Sequence, residues 1–91
     1  MTGASRARDR YDGPAVVAVD GASVPVEAHL RLETGGTWGG RVWTDDPTVD
    51  MNRIASAATR LLRVDQRAAS FIVDRVLDRH AHITGTGIAP F

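Results

Sequence analysis

At 91 residues the chain is the length of one small domain, with a modest core and a narrow margin of stability. Eleven arginines offset eleven acidic residues and no lysine occurs, so the net charge of zero sets up no field that would draw in nucleic acid or an anionic membrane surface. The absence of cysteine removes disulfides, thiolate nucleophiles and Cys-ligated zinc, and no apolar run is long enough for a membrane span or a signal-peptide core, which makes the cytoplasm the expected location.

Residues 1–10 are small and polar, with Arg6, Arg8 and Arg10 among them, and they read as a flexible tail ahead of a single domain at 11–91. Tyr11-Asp12-Gly13-Pro14 has turn chemistry, since proline fixes its own φ and pushes the preceding residue toward extended geometry. The β-branched run Ala15 to Val19 then predicts a strand covered on both sides. Asp20-Gly21 is a two-residue hairpin signal, because both central positions of a type I′ turn need φ above zero.

The return strand spans Val24 to Glu33. Val24, Val26, Ala28, Leu30 and Leu32 share one face, and Glu27, His29, Arg31 and Glu33 the other. Pro25 near its start hints at an edge or a bulge. After a glycine turn at 34–37, Trp38 to Thr44 predicts a third strand with its two tryptophans on opposite faces, one of them at a pocket mouth or an interface. Asp46 then reads as the N-cap of a helix whose first residue is Pro47.

Two readings of the next segment stay open. Ile54, Ala57, Ala58, Leu61 and Leu62 recur at helical spacing, as do Ala69, Ile72, Val73, Val76 and Leu77, which would give two helices packed on a three-stranded sheet. The other reading is a helix to about Ala57, strands over 58–64 and 68–74, and a turn at Asp65-Gln66-Arg67. Both end in a strand from His80 to Thr86. Gly85 and Gly87 then give the backbone freedom for Pro90-Phe91 to fold back.

His80 and His82 fall on one strand face, because side chains repeat every second residue. One of them could act as a general base near neutral pH, and with His29 as third ligand the pair could hold a metal. A plain solvated strand face explains the same three residues without chemistry, and neither a metal nor a cofactor is assigned. Arg41 between Trp38 and Trp43 could stack on a flat ligand or hold its carboxylate; alternatively it pairs with Asp45 or Asp46. Gly85-Thr86-Gly87 opens no helix and so is no phosphate loop, and Asp45, Asp46 and Asp50 lack calcium-loop spacing.

Three segments together resemble a small, mostly actinobacterial domain family of unknown function, found alone or attached to flavin-dependent monooxygenases and related oxidoreductases. They are Tyr11-Asp12-Gly13-Pro14-Ala15 through Val19-Asp20-Gly21 to Val26-Glu27-Ala28-His29-Leu30-Arg31, then Trp38-Gly39-Gly40-Arg41-Val42, then Ile83-Thr84-Gly85-Thr86-Gly87-Ile88-Ala89-Pro90-Phe91. The chain departs from the family pattern at Gly39, where an aromatic is expected, and at Val76-Leu77-Asp78-Arg79, where a Pro-Trp-Gly type turn is expected. The resemblance implies a mainly β domain, a small antiparallel curled sheet or barrel with one short helix, and it implies no reaction.

Three functions are compatible with this reading. One is an auxiliary domain that docks to a flavin-dependent oxidoreductase or helps hold its substrate. Another is a bacterial small-molecule binding or cyclising protein of secondary metabolism, enclosing a small apolar ligand beside Trp38, Arg41, Trp43, His29, His80 and His82. The third is a structural homo-oligomer joined through sheet edges and the Phe91 tail.

Overall fold

The computed structural model describes residues 9–57 and 60–91. Its elements in order are β1 (Arg10–Val19), β2 (Ala22–Leu32), β3 (Trp38–Trp43), α1 (Met51–Ser56), β4 (Arg60–Val64), β5 (Arg67–Leu77) and β6 (His80–Gly85). The six strands close into an antiparallel barrel in the order β1-β2-β3-β6-β5-β4. The mainly β expectation with one short helix therefore holds. Most of the tail read at 1–10 lies outside the described residues, and Arg10 is the first residue of β1.

The β1–β2 hairpin turns where Asp20-Gly21 places it, with φ of 45° and 87°, and its register runs from Val19↔Ala22 back to Arg10↔Arg31. Tyr11 to Pro14 are part of β1 and not a turn. Pro14 is tolerated there because β4 pairs only with Val16 to Val19, so the first half of β1 has the character of an edge. On β2 the alternation buries Val26, Ala28 and Leu30 and leaves Glu27, His29 and Arg31 outside.

The second half corrects two expectations. Asp46 does not cap a helix: its carboxylate accepts from the Thr48 hydroxyl (2.7 Å) and the Thr48 N–H (2.9 Å), a local turn that competes with a helix start. The hydroxyl bond and then the amide bond hold the Asp46 carboxyl below its ordinary value, with Arg79 adding to the effect. The cap is Asp50, which accepts from the Asn52 N–H at 2.9 Å, and α1 is only six residues long.

The two-helix alternative fails as well, because Leu62, Val64, Ala69 and Phe71 are buried at a spacing of two along β4 and β5. Those strands satisfy their backbone groups by pairing with each other, with β1 and with β6, and this closes the barrel. Ala58, which both readings used, lies outside the described residues.

Side chains fill the interior. Trp38, Val17, Val42, Leu62 and Val64 are fully buried, and Val26, Ala28, Leu30, Phe71, Ala81 and Ile83 pack with them. A barrel of six strands is narrower than the eight-stranded kind whose interior side chains already fill, so this packing is what the strand count demands. The antiparallel alternation places the β1–β2 turn, α1 and the β5–β6 turn at one end, where Met51 and Ile54 are buried. The β2–β3 turn and the C-terminal segment lie at the other. There Phe91 is 7% exposed and meets Trp38 edge to face (6.2 Å, 84°) and Tyr11 at a tilt (6.4 Å). No helix among the described residues is long and apolar enough to cross a membrane.

Arg60, the first residue of β4, ties the helix to the barrel. Its guanidinium Nη1 donates to the carbonyls of Ala55 (2.6 Å), Ala57 (3.2 Å) and Ile54 (3.5 Å), while Nε reaches the Phe71 carbonyl at 3.4 Å. The Ala55 and Ala57 carbonyls stand at the C-terminal end of α1, where a fixed cation is favourable, while the Ile54 carbonyl also accepts from the Ala57 N–H and that of Phe71 belongs to β5. Arg60→Ala should cost about 1.5–3 kcal/mol, the range for hydrogen bonds to a charged group. Arg60→Lys should recover only part of it, since a single ammonium cannot span carbonyls on two elements. Urea midpoints for the two variants check both values.

Candidate functional site

With the interior filled, chemistry-bearing side chains collect on the outer face of β2, β3 and β6. Strand pairing sets them in two rows. One row reads His29↔Arg41↔His82, extended by Asp12 on β1 and Arg75 on β5; the next reads Glu27↔Trp43↔His80. Every second residue of β3 faces outward, which brings Arg41 and Trp43 out and sends Trp38 and Val42 in.

Trp43 is the hub. His29 meets its ring edge-on at 4.8 Å between centroids and 71°, His80 lies tilted against it at 4.9 Å, and the Arg41 guanidinium carbon stands 5.7 Å from the ring centre. These neighbours leave Trp43 half-buried, as are His80, His82 and Thr84 on β6, while His29 and Arg41 are exposed. The Arg41 contact is a cation–π interaction worth about 0.5–1 kcal/mol at an exposed site. Beside it, His29 Nδ1 lies 3.7 Å from the Asp12 carboxylate, whose other oxygen is 3.5 Å from Arg10 Nε.

The residues picked from sequence thus separate into two groups. His29, Arg41, Trp43, His80 and His82 share the outer face. Trp38 does not: fully buried, it packs on Gly85 and Phe91 and cannot touch a ligand that Arg41 and Trp43 touch. The alternative pairing of Arg41 with Asp45 or Asp46 does not form, and Asp46 is taken up by Thr48.

Arg41 also stands between His29 and His82, so the backbones that carry the two imidazoles are two strand spacings apart, about 9.5 Å. That is too far to share an ion held at about 2 Å from each ring, and among the described residues no three His, Asp or Glu are placed to hold a metal. His80 and His82 face Trp43 and Arg41 respectively, in separate rows. Thr84, next along the same face, has its hydroxyl committed to Asp74 at 2.7 Å.

Asp12, Arg10 and Arg31 complete the face: the sequence set Arg10 in a solvated tail, whose arginines could touch a partner's phosphate or carboxylate, and Arg31 on the polar face of β2, but it assigned none of the three to a site. Asp12 and Arg10 sit in segments with turn and tail chemistry; the signal that reveals them is the hairpin register, which carries β1 back to Arg10↔Arg31. Together with His29, Arg41 and His82 they line an open hollow of about 320 Å³. A larger hollow of about 550 Å³ on the β1-β2-β4 side mixes Glu27, Asp45 and Asp65 with Arg63, and one of about 420 Å³ beside α1 mixes Asp20 and Asp50 with Arg53.

A family model described as Domain of unknown function (DUF4873) matches residues 8–91. No curated protein and no solved structure matches the chain.

Proposed function

Because the chain belongs to the DUF4873 family of domains of unknown function, we propose that it works as an accessory binding module beside a flavin-dependent oxidoreductase, docking to it or holding its substrate through the outer face of β2, β3 and β6. The supporting observation is Trp43 clasped by His29, Arg41 and His80 on the outside of a barrel whose inside is full. Tryptophan and arginine are the residues enriched where interfaces concentrate their binding energy. The described residues form no nucleophile, base and orienting group in hydrogen-bond reach of one another on this face, so recognition fits it better than catalysis. The flavin-dependent partner follows from the family resemblance of the three sequence segments.

The test is size-exclusion chromatography of the chain with flavin-dependent oxidoreductases encoded beside it, together with their turnover in its presence. Co-elution or a change in turnover is expected. Trp43→Ala should weaken the complex by about 2 kcal/mol or more, roughly thirtyfold in Kd. If partner elution and turnover are both unaffected across the set, the proposal fails. Self-association through the same face is distinguished by light scattering: a doubled mass that Trp43→Ala returns to the monomer value would assign the face to a homo-oligomer.

A second reading, a stand-alone small-molecule binder of secondary metabolism, draws on the hollow beside Arg41 and His82. It places the ligand outside the barrel, beside Arg41 and His82 and away from Trp38.

A further inference from the structure

We propose that the hollow over β1, β2, β3 and β6 is an oxyanion site in which Arg31 and Arg41 hold the phosphate or carboxylate group of a small molecule. The inference rests on the reading of this face as a recognition surface and names the chemistry of what it recognises.

The charge distribution is the first ground. In a chain of zero net charge, three guanidinium groups, Arg10, Arg31 and Arg41, line one hollow together with the single carboxylate of Asp12. Arg10 and Arg31 are direct cross-strand partners, an arrangement of like charges that destabilises a sheet. Asp12 is occupied by Arg10 at 3.5 Å and His29 at 3.7 Å. Asp9 borders the Arg10–Arg31 pair in an adjoining hollow, but among the described residues neither Arg31 nor Arg41 is in an ion pair. Two cations on one face without an ion-pair partner are what an anionic group would complete.

The shape of the face is the second ground. Arg31 lies opposite Gly39, so Arg41 is its diagonal neighbour two residues along β3. Gly39 offers no side chain between Arg31 and Thr84, and it lies so close to β6 that an added Cβ would stand 2.6 Å from the Ile83 carbonyl oxygen. The floor between the two guanidinium groups is therefore backbone. Arg41 is held over Trp43, which reduces the freedom it loses when it binds, and His29 and His82 flank it on the neighbouring strands with further ring nitrogens. At about 320 Å³ the hollow is at the small end of ligand sites, sized for an acidic group and a short body.

Inorganic phosphate and benzoate, each alone and at low ionic strength, are the probes, read by amide chemical shifts and by calorimetry of the full chain. Saturable shifts centred on Arg31, Gly39, Gly40, Arg41 and His82 are expected with at least one of them. Phosphate alone would assign a phosphoryl group, benzoate alone a carboxylate. Arg31→Gln with Arg41→Gln should weaken binding about tenfold or more, since charged hydrogen bonds are lost, while Arg63→Gln on another face should leave it unchanged. The shift map of the unmodified chain locates the site even if the double variant folds poorly. No saturable response to either ion, or shifts centred away from these residues, overturns the proposal. Neither probe requires a protein partner, so a failure here is separable from a failure of docking.

Discussion

Trp38→Ala should destabilise the barrel by about 3–5 kcal/mol, the range for emptying a buried aromatic site, and so remove a large share of the roughly 5–15 kcal/mol that holds a domain of this kind folded. The indole is fully buried, stands edge to face with Phe91 and lies flat against Gly85. Its N–H is buried without a hydrogen-bond partner among the described residues. Trp38→Phe, which removes that polar group and keeps much of the volume, should therefore be the milder change.

Gly85→Ala tests the same contact from the other side. An added Cβ would stand 1.7 Å from Trp38 Cε2, an overlap that rotamer adjustment of a packed ring cannot relieve. The single variant should lose at least about 1–3 kcal/mol, as overpacked cores do. In the Trp38→Ala background the added methyl group should cost little, because the ring it strikes is gone. Urea midpoints of the four proteins give the coupling, and strict additivity would show that the two residues do not meet.

Truncation after Gly87 has the second largest expected effect. It removes Phe91 and the fully buried Pro90, the residues that cover Trp38 and Tyr11 at one end of the barrel. A loss of about 3–5 kcal/mol is expected from the phenyl group, with a red shift of tryptophan emission as water reaches Trp38. Ile88 is the built-in control: 87% exposed, its replacement by serine should fall within about 0.5 kcal/mol of zero. An unchanged midpoint for the truncated chain would mean that the segment does not plug the barrel.

The sequence showed most of this fold where local chemistry and long-range packing agree. Asp20-Gly21 takes the left-handed pair of conformations that its residue types favour, and the alternation of β2 survives intact because one face is core and the other water. Legibility failed where they compete. Asp46-Pro47 has the composition of a helix start, yet the Asp46 side chain finds Thr48 first and the cap passes to Asp50. The β5–β6 turn lies where the family pattern expects one but carries no glycine signal of its own, since Asp78 and Arg79 adopt the left-handed φ of 52° and 65°. Arg79 donates to the Asp46 carbonyl at 3.1 Å, a contact across 33 residues that no local pattern can announce. Helical spacing over 54–77 left two readings open for a related reason: short apolar runs satisfy both periods, and only the pairing with β1 and β6 selects the strand.

The candidate face divides in the same way. Two-residue spacing sufficed to group His80 with His82 and Arg41 with Trp43, but it carries no information on which strands adjoin. That β3 lies between β2 and β6 follows from the topology, and it is what puts His29 and His80 on either side of one indole. Trp38 was grouped with Arg41 by nearness in sequence, although two-residue spacing sets it on the face opposite Arg41 and Trp43; the structure shows that this face is the inner one.

Ring closure also bears on how copies of the chain can assemble. A sheet with open borders recruits neighbours by lending them its amide and carbonyl groups, the route that leads to runaway stacking. Here the strands spend those groups on each other around the full circuit, and the stretch of β1 that outruns β4 includes Pro14, which has no amide hydrogen to lend. Apart from that short stretch of β1, higher-order assembly then rests on side chains, residue by residue, and should yield to point substitutions that leave the scaffold untouched.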